Sequence, residues 1–404
     1  MKTKEKIHTH FLEKIRDLKE KSYRPIILDL SKTDHRKLLE QLIKNGTIRH
    51  VNDNYNSQLN ELFAINNPSL VFQPPFSLAF KDFHKKLTDM KPEWQQGRWI
   101  FFPWSSTLVH VLEDKDFQRV RMARNRNLIN EQEQERFYNA TIGIAGLSVG
   151  NSVALAIVIQ GGARHIKLAD HDSLDLSNLN RIRATVLGLG ALKVFVTARQ
   201  IYEVNPYAKV ELFRNGLTIK NIESFFKGLD VIVDEIDNVA VKYLVREQAA
   251  KHRIPVVMGV DNGDNGIIDV ERYDLDPMPE FFHGRLGNIN YRELASLSKR
   301  ETGTVIVRHI GSQNIPDRVW QSFKEMGKTL ASWPQLGGIA LMNGSAIAYV
   351  IRKILNKQPI INDRGILSLD QLFDPSYDSE ESKKVRAQVN QEIKATTTRK
   401  IPYE

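Results

Sequence analysis

Residues 141–170 read TIGIAGLSVGNSVALAIVIQGGARHIKLAD, and the order of apolar runs and glycines in them decides the fold. TIGIAGL is a short, β-rich apolar run closed by Gly146, so it reads as a buried strand. Gly146 and Gly150 break the extended chain. VALAIVIQ then reads as an apolar helix, which Gly161-Gly162 ends. HIKLAD is a second strand. Strand, glycine turn, helix and strand in this order make one βαβ unit.

The alternation continues downstream. ALKVFVTARQIYEVNP (191–206) is a helix stopped by Asn205-Pro206. KVELFRN (209–215), GLDVIVDEID (228–237) and IPVVMGVD (254–261) are further strands. This pattern predicts an α/β fold, a parallel, doubly wound, Rossmann-like sheet. At 404 residues the chain is long enough for two or three domains. Residues 1–120 read as a separate N-terminal α/β module. PIILDL (25–30) is a short strand, and leucines at helical spacing (Leu38, Leu39, Leu42) run to the stop signal Asn45-Gly46. WIFFPW (99–104) and TLVHVL (107–112) are two strands around a Ser-Ser turn. Residues 121–276 form the nucleotide-binding domain. Residues 277–376 form its C-terminal part with a variable substrate lobe, including helices near 316–327 and at 339–355. Small residues along the latter (Ala340, Gly344, Ala346, Ala348) predict close packing on the sheet. Residues 377–404 are polar and are expected to form a frayed tail.

Composition narrows the function. The chain has no cysteine, which excludes disulfides, thiolate zinc sites, iron–sulfur clusters and a cysteine nucleophile. The apolar stretch Val153–Ile159 is too short to span a bilayer, and the N-terminus shows no secretory h-region; we expect a cytoplasmic protein. The net charge is +9, and the first fifty residues supply +6 of it, with thirteen Lys/Arg against seven Asp/Glu. A basic balance suits anionic partners such as nucleotides, nucleic acid or an acidic protein, although a solvated surface reads the same way. No RNA-binding motif and no zinc-finger spacing is present.

GLSVGN (146–151) stands where the first strand meets its helix. Glycines here let backbone N–H groups approach a phosphate without a Cβ in the way, and the helix N-terminus adds partial positive charge. The loop matches G-x-G-x-x-G only in part: Ser148 stands where glycine is usual. Asp170, twenty residues after Gly150 at the end of the second strand, is placed to accept hydrogen bonds from ribose hydroxyls. Loop and acid together point to a nucleotide. They leave NAD and ATP open and argue against NADP, whose 2′-phosphate the carboxylate would repel.

The following residues separate these. DHDSLDLSNLNR (170–181), GALK (190–193) and DEIDN (234–238) occur in that order, with Arg126-Asn127-Leu128-Ile129 upstream. Hydride transfer gives no reason for such a series. It resembles the ThiF/MoeB/HesA superfamily of adenylyltransferases, which includes ubiquitin-activating enzymes and bacterial sulfur-carrier relatives. The pattern there is D-x-D-x-V-x-x-S-N-L-x-R, G-x-x-K and a strand ending in D-N. The arrangement is similar to a bacterial group with a long N-terminal extension, some members of which also carry a nitroreductase-like domain. Residues 1–120 lie outside the common core.

The resemblance implies an ATP- and Mg²⁺-dependent enzyme that activates a carboxylate as its acyl-adenylate and releases pyrophosphate. Arg181 and Lys193 would lie beside the triphosphate, and Arg126 would be an arginine finger, in many relatives reaching a partner subunit. Asn178 would bind phosphate or the attacking carboxylate, Asp237 would hold Mg²⁺, and Asp170 the ribose. Asp172 and Asn238 join the nucleotide contacts, as do Gly146, Ser148 and Gly150. A homodimer is implied. Each residue alone has a plainer reading. Asp237-Asn238 also reads as a helix N-cap, Asn178 as an Asx-turn and Lys193 as a surface lysine. The run Arg119, Arg121, Arg124, Arg126 also reads as a solvated helix face.

Two departures bound the reaction. Without cysteine the chain cannot itself form a thioester, and the paired Cys-x-x-Cys zinc ligands of many relatives are missing. The carboxylate could belong to a ubiquitin-like protein, a peptide or sulfur-carrier C-terminus, or a small molecule such as a modified tRNA base. His283, Arg285, Arg308 and His309 lie in the region of the expected substrate lobe. An NAD-dependent oxidoreductase and a non-catalytic nucleotide-binding scaffold are the alternatives, the second favoured by the altered glycine loop.

Overall fold

The computed structural model describes residues 22–276 and 280–397. They divide into two compact units. One runs up to Glu135 and takes in Ala198–Ala208; the other comprises Arg136–Thr197 and the chain from Lys209 onward.

The first unit is built on four strands: β1 (Ile26–Leu28), β2 (His50–Asp53), β3 (Arg98–Phe102) and β4 (Thr107–Val111). They lie in the order β1-β3-β4-β2, with β2 parallel to β4 and the other pairs antiparallel. Leu38, Leu39 and Leu42 of the helix Thr33–Lys44 cover Leu28, Leu30, Trp99, Phe101 and Leu108. The helix ends at Asn45, and Gly46 turns the chain with φ +64°. This unit continues past residue 120 to Glu135 and also takes in Ala198–Ala208.

The second unit holds seven strands: β5 (Thr141–Ala145), β6 (His165–Ala169), β7 (Lys209–Phe213), β8 (Val231–Asp234), β9 (Val256–Asn262), β10 (Asn265–Glu271) and β11 (Arg364–Ser368). Their order is β11-β10-β9-β8-β5-β6-β7. The five strands from β7 to β9 are parallel, and β10 and β11 extend the sheet antiparallel. Read from β7, the parallel strands stand third, second, first, fourth and fifth along the chain, which is the doubly wound order. Such a sheet binds ligands outside the carboxyl ends of its strands, where the order reverses. Here that point lies between β5 and β8. Three helices, Val149–Ile159, Lys193–Val204 and Val239–His252, make crossovers between the strands.

The small residues of the helix Gly337–Leu355 have a specific partner. A Cβ on Gly344 would lie 2.8 Å from the Ser152 backbone, so this helix packs backbone-close on Val149–Ile159. The same helix packs on β9 and β10. The close contact expected with the sheet is thus foremost a contact with a helix. By length and composition alone Gly337–Leu355 could cross a membrane; its Ile339, Ala340, Ile347 and Ile351 are buried within the unit.

The polar tail is a correction. Residues 380–397 form a helix, Glu380–Thr397. Its Val389 and Ile393 are buried in a cluster with Ile267, Val307, Ile310, Ile315 and Trp320. Two apolar residues four apart on an otherwise charged helix suffice to seat it on the core. The composition that read as a tail describes only its outer face.

Candidate nucleotide-binding site

The loop after β5 is set by one glycine. Gly146 adopts φ +85°, and a Cβ there would lie 2.1 Å from the carbonyl oxygen of Glu235, so the loops after β5 and β8 touch backbone to backbone. The Gly146 N–H donates to Ala169 O (2.8 Å), and the Glu235 N–H donates to Ala145 O (2.8 Å). Ser148 is the N-cap residue of the helix Val149–Ile159, whose first-turn N–H groups open at this end of the sheet. Gly150 is needed for packing: its Cβ position is 3.0 Å from Ile144 below.

Asp170 directly follows β6 and is buried. One carboxylate oxygen accepts the Leu147 N–H (2.7 Å), the other the Asp172 N–H (2.8 Å). Burial raises its pKa, against the pull of those N–H groups and of Lys193. Asp170 therefore fastens the glycine loop directly, and its carboxylate oxygens keep further lone pairs.

Lys193 opens the helix Lys193–Val204. Its N–H donates to the Asp172 carbonyl (2.9 Å) and its Nζ to Asp172 Oδ2 (2.8 Å). The segments DHDS and GALK are thus zipped together, with Leu174 N–H to Ala191 O at 2.8 Å and Gly190 N–H to Leu174 O at 2.9 Å. Burial would raise the Asp172 carboxyl, but the hydrogen bond and charge of Lys193 bring it below its usual range. Asp170, His171 and Asp172 offer ligand atoms within 4.8 Å of one another. The Lys193 ammonium already supplies the positive charge there.

Arg181 leaves the short helix Leu176–Asn180. Its Nε donates to Ser148 Oγ (2.9 Å) and its Nη1 to Asn180 Oδ1 (2.9 Å). The serine that replaces a glycine in the loop is thus the anchor of the arginine. Asn178 is buried, and its Oδ1 accepts the Asp175 N–H (3.1 Å), so it shapes the turn that carries Arg181. Asn151, fully buried beneath, binds Thr197 Oγ1 (2.9 Å) and accepts the Arg183 N–H (3.2 Å).

Asp237 is exposed in the loop after β8. A lone exposed carboxylate suits Mg²⁺, which takes one or two protein carboxylates and completes its shell with phosphate and water. Asn238 takes its plainer reading: its Oδ1 caps the helix Val239–His252, accepting from Ala240 N (3.0 Å) and Val241 N (3.1 Å). Its side-chain oxygen is committed to the helix, and what it adds to the site is the placement of Asp237. Arg126 lies in the first unit, exposed, after the turn Ala123–Asn125; the other expected residues all lie in the second.

Sequence reasoning missed two carboxylates. Glu235 follows β8, and its Oε1 accepts the Gly259 N–H (2.7 Å), bridging β8 to β9 beyond their last paired residues. Burial, with Asp261 and Asp234 nearby, pushes its carboxyl well above the usual range despite Lys242 and that N–H. Asp261, near the end of β9, is buried and accepts from Asn343 Nδ2 (2.8 Å) and Gln335 Nε2 (3.3 Å). Burial pushes it up to about 6, against Asn343, Arg181 and Gln335. Its position at a strand's carboxyl end was the available signal. The four candidates beyond 276 have mostly structural partners. His309 bonds Asp269 (2.9 Å), His283 Nε2 bonds Val270 O (3.0 Å), and Arg285 pairs with Asp363.

A doubly wound sheet with these side chains gathered beyond the carboxyl ends of its strands defines the class. The ThiF family profile matches residues 122–268, and the chain carries a ThiF family domain there. MT1398, an uncharacterised protein of Mycobacterium tuberculosis, is 32% identical over 319 residues, covering 78% of this chain and 44% of its own length. The tRNA threonylcarbamoyladenosine dehydratase of Bacillus subtilis is 24% identical over 196 residues, 46% of this chain and 77% of that protein. The sulfur carrier protein adenylyltransferase of Thermus thermophilus is 25% identical over 160 residues, 39% and 57%. The chain thus spans less than half the length of MT1398.

Proposed function

We propose that the chain is an ATP-dependent adenylyltransferase that activates a carboxylate as its acyl-adenylate, with Mg²⁺ held at Asp237. The observation that carries this is the continuous set of bonds joining the motif segments. Leu147 is tied to Asp170, Asp170 to Asp172, Asp172 to Lys193, and Arg181 back to Ser148. Two cations and a helix N-terminus therefore border one glycine loop.

The chemistry asks for this arrangement. A carboxylate attacks the α-phosphorus of ATP, the α–β bridging P–O bond breaks, and pyrophosphate leaves. The nucleophile and the triphosphate are both anionic, so catalysis consists of neutralising charge and holding the line of attack. Arg181 supplies a planar fork, and Lys193 supplies a point charge. Magnesium, when bound, adds charge on the phosphate oxygens. Asp170 positions the ribose while it holds the loop. The chain has no cysteine, so the acyl group passes to another nucleophile: an amine, a thiol on another protein, or a group in the substrate itself. The names of two relatives, a sulfur carrier protein adenylyltransferase and a tRNA threonylcarbamoyladenosine dehydratase, support a carrier protein or a modified tRNA base as the bearer of the carboxylate. We take the working form to be a homodimer, with Arg126 as the arginine finger.

Pyrophosphate release from ATP–Mg²⁺, screened over peptides with free C-termini and small carboxylic acids, tests the reading. The wild type should release pyrophosphate with at least one carboxylate. Arg181→Ala should lose on the order of 10²–10³ in rate, as for other lost transition-state donors. Equal rates for the two proteins would overturn it.

A further inference from the structure

We propose that Asp172 is a positioning residue for Lys193: it acts on the nucleotide through the ammonium and makes no contact of its own. The inference rests on the nucleotide reading above and adds the division of labour between the two acids of D-x-D.

The geometry carries it. Asp170 has both oxygens turned back to the chain, one on Leu147 and one on Asp172. Asp172 is therefore held at its own N–H, while its carboxylate points to Lys193. The side chain of Lys193 is 9% exposed and that of Asp172 52%. An enclosed ammonium needs an anion to stay where it is, and here the anion is on the wet side. Both ends of the contact are fixed by backbone: Lys193 N–H to Asp172 O, the bridge between Ser173 and Leu192, and the bonds between Leu174 and residues 190 and 191. Leu174, Ile182, Ala191 and Val196 pack beneath this seam. His171 Nε2 lies 3.4 Å from the other oxygen, Oδ1, on the solvent side.

Lysine carries a flexible four-carbon stem and loses much rotamer freedom on binding a phosphate. Asp172 freezes that stem before the nucleotide arrives. It also places a negative charge near a triphosphate, which opposes binding. The two effects have opposite sign, and only the first passes through Lys193.

A double-mutant cycle separates them. Binding of ATP–Mg²⁺ is measured by calorimetry on the full chain as wild type, Asp172→Asn, Lys193→Ala and the double variant. Melting without nucleotide reports on folding, so that any stability lost by leaving the enclosed ammonium without its anion is read apart from binding. With Lys193 present, Asp172→Asn should weaken ATP–Mg²⁺ roughly tenfold. With Lys193 absent, the same substitution should leave binding unchanged or slightly tighter. Equal weakening in both backgrounds would mean that Asp172 itself touches the nucleotide or its metal. Tighter binding with Lys193 present would make Asp172 a competitor. Either result overturns the inference. A wild type that binds no ATP would fail at the earlier step, the nucleotide reading itself.

Discussion

Asp261 shows what a buried acid costs at the edge of a functional crevice. Its folded pKa of about 6 lies above the ordinary 3.8. Its contribution to stability is therefore complete below about pH 3.8 and is lost as pH rises through about 6. A gap of about two units corresponds to roughly 3 kcal/mol at most. Asp261→Asn should raise the melting temperature by several degrees at pH 8 and hardly at all at pH 4, provided the Gln335 amide turns to keep its partner. An equal shift at both pH values would contradict this origin. The acid lies at the end of a strand that the sequence marked clearly; its burial was not visible, because that comes from Asn343 and Gln335, more than seventy residues away. By contrast Asp170 could be placed early by its spacing from the glycine loop that holds Ser148, while Arg181 and Lys193 were reached only through the family resemblance. What spacing could not show was the order of contacts: Ser148 holds Arg181, and Asp172 holds Lys193.

At the scale of elements, period and punctuation located every parallel strand of the second unit. They failed where few residues carry the burial. β10 and β11 are antiparallel additions paired through Asn265–Asp269 and Arg364–Ser368, and no crossover helix announces them. The helix Glu380–Thr397 was hidden by its charged face. Ile393 is fully buried among Ile267, Val307 and Trp320. Ile393→Ala should cost roughly 2–5 kcal/mol, read as a lower urea midpoint at unchanged slope. A loss within about 0.5 kcal/mol, the range of surface substitutions, would mean that the helix contributes nothing to the core. Gly344 is legible in hindsight as one of several small residues on a helix, but its partner Ser152 lies two hundred residues upstream.

At the scale of the molecule, the chain is two units with separate cores, and the candidate site residues, apart from Arg126, belong to the second. The first unit has its own sheet and a His110 ring stacked between Tyr55 and Trp99. Which nucleotide the second unit binds separates adenylation from its alternatives. Calorimetric titration of wild type and Asp237→Ala with ATP–Mg²⁺, ATP with a chelator, and NAD tests this most directly. We predict that ATP–Mg²⁺ binds the wild type, that removing Mg²⁺ weakens it by about tenfold or more, and that Asp237→Ala abolishes this dependence on metal. Binding of NAD without ATP, or a variant that keeps the full metal dependence, would contradict the adenylation site described here.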